Sequence, residues 1–255
     1  MKVLLFAGAK VDLIDDHGIT AVQEAGWQII TKRHTKDHRD ALQRMFDTTV
    51  WTEALGLSPL HKAVVGILHV DDLTEFVNRS EYQALIDLQD ATRRTPLHWA
   101  AEIGNEIAVK ALLLNGASTS VRDCLGDTPL IKASKAGSIE CVKQLLIAKA
   151  DPTARNNMGE TAMHQAAQVS LDMVKVLKAA HVPFSPSSQN LTPLDWAAIM
   201  NKVDIGQFLV TLGLDVNFPD GRGQTTIFHA AICWAPEFVR MLLRCIFWPD
   251  MVTPR

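Results

Sequence analysis

The chain has 255 residues, is 47% hydrophobic and carries a net charge of −3, which allows one large globular domain or two ordinary ones. This near-neutral charge excludes the basic surface by which proteins bind nucleic acid or an anionic membrane. No apolar run approaches the roughly 18–20 residues of a membrane-spanning helix. The four cysteines form no C-x-x-C pair, so we expect thiols in a reducing intracellular compartment, cytoplasm or nucleus.

The N-terminus has some features of a secretory signal. Residues Met1–Ala9 end like a signal-peptidase site, but the apolar stretch Val3–Phe6 is shorter than the roughly 7–15 residues that secretion needs. The same stretch matches a later one, because Leu4-Leu5-x-x-Gly8-Ala9 recurs as Leu112-Leu113-x-x-Gly116-Ala117. We therefore predict that residues 1–19 are the second half of a repeat.

One sequence pattern recurs along the chain. The stretch Thr95–Asp127 begins TPLHWAAEIGN, and 33 residues later Thr128–Glu160 begins TPLIKASKAGS. Such self-similarity is typical of repeat proteins, whose units bury their apolar faces against one another. Seven starts can be aligned: Thr20, Ser58, Thr95, Thr128, Thr161, Thr192 and Thr225. The predicted units after 1–19 are 20–57, 58–94, 95–127, 128–160, 161–191, 192–224 and 225–255.

The first two complete units are longer than the others. They have 38 and 37 residues, against 31 to 33 in the next four. Insertions in repeat proteins fall in loops. We therefore expect the extra residues at Thr31–Asp40 in the first unit, and around Asn78–Tyr82 or in the following loop in the second.

Each unit carries the signals for two short antiparallel helices and a hairpin-like loop. The Thr or Ser at the start can cap the first helix, and Pro after it is tolerated in a first turn. Small pairs such as Ala100-Ala101 predict close packing of first helices. Val109, Leu112 and Leu113 form the apolar stripe of a second helix.

Glycines mark the positions where the backbone needs a left-handed residue. Gly116 and Gly213 follow second helices and can end them in this conformation. Another glycine usually stands two residues before each start, and Asn190, which replaces it once, can adopt the same conformation. Arg93 at this position predicts a locally different turn.

The pattern T-P-L-H-x-A-A, then V-x-x-L-L-x-x-G-A and D-x-x-G, resembles the ankyrin repeat family over essentially the whole chain. The resemblance implies an all-α fold, an ankyrin-repeat solenoid of stacked helix-turn-helix units with hairpin-like loops. It also implies a structural role for His61, His98 and His164, each three residues after a start. Their rings are expected to hydrogen-bond to backbone and tie the loops.

Nothing in the sequence predicts catalysis, a cofactor, a small-molecule substrate or a metal site. His34 and His38 form H-x-x-x-H, but the zincin motif needs Glu where Thr35 stands, and no third ligand is near. There is no phosphate-binding G-x-x-x-x-G-K and no G-x-S-x-G around a nucleophilic serine.

The resemblance implies a protein partner, bound at a concave groove and at the loop tips. The residue four positions after each start is variable and is expected to face the groove. After Glu24, the groove candidates are Lys62, Trp99, Lys132, Gln165, Trp196 and His229. The loop-tip candidates are Arg93, Arg94, Leu125, Asn157, Met158 and Arg222, beside Thr92. Trp and cationic side chains are common binding anchors. The alternative is that Trp99 and Trp196 pack between adjacent first helices.

Two functions fit this sequence. The first is a non-catalytic protein–protein interaction scaffold. The alternative is a regulatory or targeting ankyrin segment of a larger enzyme or signalling protein. This alternative is favoured by the partial unit at the start and by the apolar Cys245–Pro249 near the end, where a polar capping face is usual.

Overall fold

The computed structural model describes residues 52–247, and its contacts divide the chain into two compact units, up to Leu125 and from Gly126. The predicted unit 1–19, nearly all of 20–57, Glu24 and the pair His34 and His38 lie outside the described residues. The described residues form helices joined by loops and turns, with no strand between residues 52 and 247. The predicted all-α fold is confirmed, and paired helices follow one another along the chain.

The helices of the first unit are α1 (Pro59–Val64), α2 (Leu73–Asn78), α3 (Pro96–Ile103) and α4 (Glu106–Leu114), with a 3₁₀ helix η1 (Ser80–Leu85) after α2. The second unit contains α5 (Pro129–Ala136), α6 (Ile139–Ile147), α7 (Ala162–Val169), α8 (Leu171–Ala179), α9 (Pro193–Ile199), α10 (Val203–Thr211), α11 (Thr226–Ile232) and α12 (Pro236–Phe247). Odd-numbered helices are the first of each pair, and each begins directly after a Thr or Ser of the sequence pattern.

Local sequence explains where these helices begin and end. Ser58 accepts a hydrogen bond from the backbone N–H of His61 at 3.3 Å, and Thr128 accepts one from Ile131 at 3.4 Å. These caps satisfy donors that the first turn leaves without a partner. At the other end, Gly137 after α5 adopts φ +78°, a left-handed conformation that glycine takes without steric cost.

Small side chains let neighbouring repeats approach closely. In the second unit, Ala166, Ala167, Ala197 and Ala198 are fully buried where α7, α9 and α11 pack in sequence. Gly206 in α10 shows how tight this packing is, because a Cβ there would lie 2.4 Å from the ring of Phe238. Burial of these apolar surfaces is the main stabilising term, at about 25 cal/mol per Å².

The insertion in the repeat that starts at Ser58 lies elsewhere than predicted. Leu73, which begins α2, follows Ser58 by 15 positions, whereas Glu106, which begins α4, follows Thr95 by 11. From the start of α2 to Thr95, and from the start of α4 to Thr128, the two repeats are equal in length. The four extra residues therefore lie in the connection between α1 and α2, and the prediction of Asn78–Tyr82 or the following loop is wrong.

The turn at Arg93 has the same conformation as the equivalent turns of the other repeats, although the sequence predicted a different one. Arg93 adopts φ +62°, and Asn190 at the equivalent place adopts φ +57°. The N–H of Arg93 donates to the carbonyl of Asp90 at 2.9 Å. In the equivalent turn the N–H of Gly159 donates to the carbonyl of Asn156, also at 2.9 Å. The hydrogen bonds of the loop hold Arg93 in the left-handed region, so the predicted departure does not occur.

No helix among residues 52–247 has the length and the apolar character needed to cross a membrane.

Candidate partner-binding site

His61 and His164 each link their own repeat to the loop that precedes the following repeat. The Nδ1 atoms of His61 and His164 accept the backbone N–H of their own start residue at 3.2 and 3.1 Å. Their Nε2 atoms lie 3.0 Å from the carbonyl oxygen of Arg94 and 3.1 Å from that of Leu191. An imidazole ring whose Nδ1 accepts a hydrogen bond and whose Nε2 faces a carbonyl oxygen is neutral and carries its proton on Nε2.

Burial keeps these rings neutral at physiological pH. It lowers the pKa of His164 to about 4, against the opposing effect of the Leu191 carbonyl and with a further lowering by the Arg155 cation. Burial also lowers the pKa of His61. His98, whose Nδ1 accepts the N–H of Thr95 at 3.1 Å, is equally inaccessible to solvent. Such rings hold loops together, and the lowered pKa of His61 and His164 leaves these two rings neutral near pH 7.

One residue in each loop, five positions before the next start, organises the turn. Asp90 accepts hydrogen bonds at Oδ1 from the N–H groups of Thr92 at 2.8 Å and Arg94 at 2.9 Å. Asn156 does the same for Met158 at 3.0 Å and Glu160 at 2.9 Å. We call the equivalent residues the turn residues: Asp90, Asp123, Asn156, Ser187 and Asp220. Each fixes its loop from within, as Asx turns do.

The side chain four positions after each start, here called the inner position, points back to the loop before that start. The indole Nε1–H of Trp99 donates to Oδ2 of Asp90 at 2.8 Å, so this turn residue uses both of its oxygens. His229 occupies the equivalent position, and its Nε2 lies 3.2 Å from Oδ2 of Asp220.

Polar groups at two further inner positions are satisfied within the second unit. Nζ of Lys132 lies 3.0 Å from Oδ2 of Asp127, and Nε2 of Gln165 donates to Oε2 of Glu160 at 2.9 Å. Asn156 joins these groups by donating to Asp127 at 3.0 Å and to Glu160 at 3.2 Å. Burial raises the pKa of Glu160, and the hydrogen bonds from Asn156 and Gln165 counteract this in part. The cluster is an internal support of the loops.

The prediction that the inner positions face a groove is therefore wrong for Trp99, Lys132 and Gln165. Trp99 and Lys132 are 0% exposed, and Gln165 is also buried. The carboxylate groups of the preceding loop provide these polar side chains with buried partners. The pairing compensates for the free energy that burial of a polar group would otherwise cost. Lys62, Trp196 and His229 are half-buried and keep part of their surface in solvent.

Trp196 differs from Trp99 in its hydrogen bonding. Its Nε1 is inaccessible to solvent and has no acceptor among the described residues. The turn residue of its loop is Ser187, whose single oxygen already accepts the N–H groups of Gln189 at 3.3 Å and Leu191 at 3.2 Å. Serine can shape the turn, but it has no second oxygen for the indole.

The loop-tip candidates do not share one environment. Arg93, Asn157, Met158 and Arg222 are exposed, and Leu125 is half-buried.

Arg94 is buried, contrary to the prediction that it lies at a tip. Its guanidinium lies 3.5 Å from Glu102 and 3.7 Å from Asp123, and 5.1 Å from the centre of the Trp99 ring. Arg94 directly precedes the start residue Thr95, and its side chain is buried in the first unit. Its charge is paired there with the carboxylates of Glu102 and Asp123.

Sequence reasoning missed the turn residues. Three of the five are Asp, and the constant distance of all five from the next start was the available signal. Within residues 52–247, no three His, Cys, Asp or Glu side chains are grouped so that they could hold a metal ion.

Comparison with known families gives a match to the description "Ankyrin repeats (3 copies)". Three overlapping segments match, residues 60–156, 97–182 and 140–220, and together they cover more than half of the chain. The comparison with curated proteins gives no match. Repeat phase, helix pairs and family match agree, and the chain belongs to the ankyrin repeat family.

Proposed function

We propose that the chain is a non-catalytic interaction module that binds a partner protein through its loop tips. Ankyrin repeats are typically protein–protein interaction modules. The proposed contacts in the first unit are the exposed Arg93 and the half-exposed Lys62 and Leu125. In the second unit they are the exposed Asn157, Met158 and Arg222 and the half-exposed Trp196 and His229. An intracellular location, cytoplasm or nucleus, accords with the cysteine spacing.

The observation that supports this proposal most directly is the hydrogen bonding of the loops. Each tip is fixed from within by a turn residue, so the backbone of the tip does not have to be ordered when a partner binds. Asn157 and Met158, for example, lie between Asn156 and Gly159, whose mutual hydrogen bond closes the turn at 2.9 Å. Preorganisation of this kind lowers the entropic cost of association.

A second observation concerns the chemistry of the tips. Met158 is 58% exposed and lies next to the polar Asn157, whereas most large apolar side chains among residues 52–247 are buried or half-buried. Methionine adapts its shape to a partner surface and is frequent in interfaces. The cations Arg93 and Arg222 add groups that favour an acidic or amphipathic partner segment.

The test is affinity purification from native lysate with the full chain. The variant Asn157→Ala with Met158→Glu changes the tip and leaves the turn bonds of Asn156 in place. The control is Ile147→Glu, which changes an apolar residue that is 81% exposed on helix α6, away from the tips. We expect a partner that wild type and control capture and the tip variant loses, with matched circular dichroism. Equal capture by all three proteins would contradict the proposal.

A further inference from the structure

The loop tips of the second unit are joined to one another by backbone hydrogen bonds. The N–H of Ser188 donates to the carbonyl of Met158 at 2.9 Å, and the N–H of Gly221 donates to the carbonyl of Gln189 at 2.7 Å. Each bond connects the tip before one repeat to the tip before the next, so three successive tips keep a fixed order and spacing. We call their exposed side chains the tip ridge: Asn157, Met158, Ser188, Gln189 and Arg222.

Side-chain contacts hold the same tips together. A Cβ at Gly159 would clash with Ser188, which shows how closely the first two tips pack. Nη1 of Arg155 donates to the carbonyl oxygens of Gly159 and Pro186, each at 2.8 Å, and Nη2 contacts Oγ of Ser185 at 2.6 Å. A partner therefore meets a ridge whose backbone is already ordered, which lowers the entropic cost of binding.

The tip ridge carries a cation and no carboxylate. Glu160 is buried, and Asp220, whose Oδ1 accepts two N–H groups of its own loop at 2.8 Å, has a side chain that is 7% exposed. Asp151 and Asp215 are exposed, but they stand four residues after α6 and α10, at the other end of their loops. The exposed guanidinium of Arg222 has no ion pair or hydrogen bond among residues 52–247. It is therefore open to a carboxylate of the partner.

The remaining side chains of the tip ridge suit an extended chain better than a helix. The side-chain amide of Gln189 is exposed and makes no hydrogen bond within the part of the chain that the structure describes. Its donor and its acceptor can pair with both polar groups of a free peptide backbone. A helix uses these backbone groups internally, and a docked helix needs a row of apolar anchors. Met158 is the one apolar member of the tip ridge.

The step from repeat to repeat sets a spacing along the bound segment. The helices α7, α9 and α11 pack in sequence, and packed helices lie about 8–10 Å apart. Met158 lies in the tip before α7, and Arg222 lies in the tip before α11, two repeats further on. Because an extended chain rises about 3.3 Å per residue, two steps correspond to about six residues.

We propose that the tip ridge binds an extended segment of the partner protein in which an acidic and an apolar residue stand about six positions apart. The proposal rests on the loop-tip function proposed above and adds the chemistry of the partner. The carboxylate pairs with Arg222, the apolar side chain packs on Met158, and the backbone between them bonds to the amide of Gln189.

Selection from a phage library of random linear peptides, with the full chain as target, tests this proposal. The test variant Arg222→Glu reverses the exposed charge and keeps the backbone N–H that donates to Asp220. The matched control is Lys149→Glu, which reverses another exposed cation of the second unit, two residues after α6 and away from the tips. Circular dichroism checks that all three proteins are folded.

We expect wild type and control to select peptides with an acidic and an apolar residue at this spacing, and Arg222→Glu to select Lys or Arg in place of the acidic residue. By titration calorimetry, an acidic peptide selected by wild type should bind Arg222→Glu at least about tenfold more weakly. Replacing its acidic residue with Lys should restore binding to Arg222→Glu and weaken binding to wild type.

Three results would overturn the proposal: no peptide enriched by wild type, equal selection by wild type and Arg222→Glu, or anchors at the three- and four-residue spacing of a helix. None of these would contradict the loop-tip function itself. The capture experiment with Asn157→Ala and Met158→Glu decides that function separately, because it requires neither an extended nor an acidic partner segment.

Discussion

The pairing of Trp99 with the turn residue Asp90 gives a quantitative prediction. In Trp99→Phe the indole donor is lost, and Oδ2 of the buried Asp90 is left without its hydrogen bond. A buried charged acceptor that loses its partner costs roughly 1.5–3 kcal/mol. The smaller ring adds a cavity cost, so the single variant alone does not isolate the hydrogen bond.

A double-mutant cycle with Asp90→Ser separates the two costs. Serine is the residue that shapes the equivalent turn at Ser187, so the turn is kept while the second oxygen is removed. We expect a coupling energy of about 2 kcal/mol between positions 99 and 90. Hydrogen exchange of the amides in α3 measures the local free energy in all four proteins. A coupling energy near zero would refute the idea that the inner positions stabilise the loops through the turn residues.

Three further predictions follow from the second unit. Ser187→Asp supplies the missing acceptor for Trp196, and urea unfolding is expected to show a gain of about 1 kcal/mol that disappears when Trp196 is also changed to Phe. For His164, the unfolded chain binds a proton between its normal pKa of about 6.5 and pH 4 that the native ring does not bind. The free energy of unfolding should therefore fall by up to roughly 3 kcal/mol as the pH is lowered through this window, and His164→Leu should flatten the measured profile. Gly213→Val forces a β-branched residue to φ +89° and is expected to cost on the order of 1–3 kcal/mol in thermal melts; an unchanged melting temperature would contradict this assignment of the helix end.

The sequence predicted the helices well because each carries its own local signals. A capping Thr, a Pro in the first turn and an apolar stripe together define a helix without reference to its surroundings. The repeat period then places similar helices side by side. Both the fold class and the family follow from this.

The inner positions were mispredicted because their environment is not local. Trp99 and Lys132 are variable and polar or amphipathic, which usually indicates a surface. Their buried partners Asp90 and Asp127 are visible only when the loop before each start is considered together with the helix after it. The burial of Lys132 follows from that pairing and not from its own chemistry.

The length of the repeat at Ser58 likewise shows that four residues are extra, but not where they lie. Insertions in repeat proteins fall in loops, but a repeat has more than one loop, and its length does not choose between them. The cap at Asp72, whose side chain accepts the N–H of Thr74 at 2.7 Å, fixes the start of α2 and moves the insertion before it.

The histidine links give the chain a direction. His61 and His164 each depend on a carbonyl of the loop that precedes the following repeat, and the following repeat does not depend on them for its own cap. Local unfolding on the C-terminal side of such a link removes the acceptor of its histidine while the ring stays in place. Local unfolding on the N-terminal side removes the ring and leaves a carbonyl, which water can satisfy at little cost. The free energy of local opening should therefore depend on the side of the link from which the opening begins.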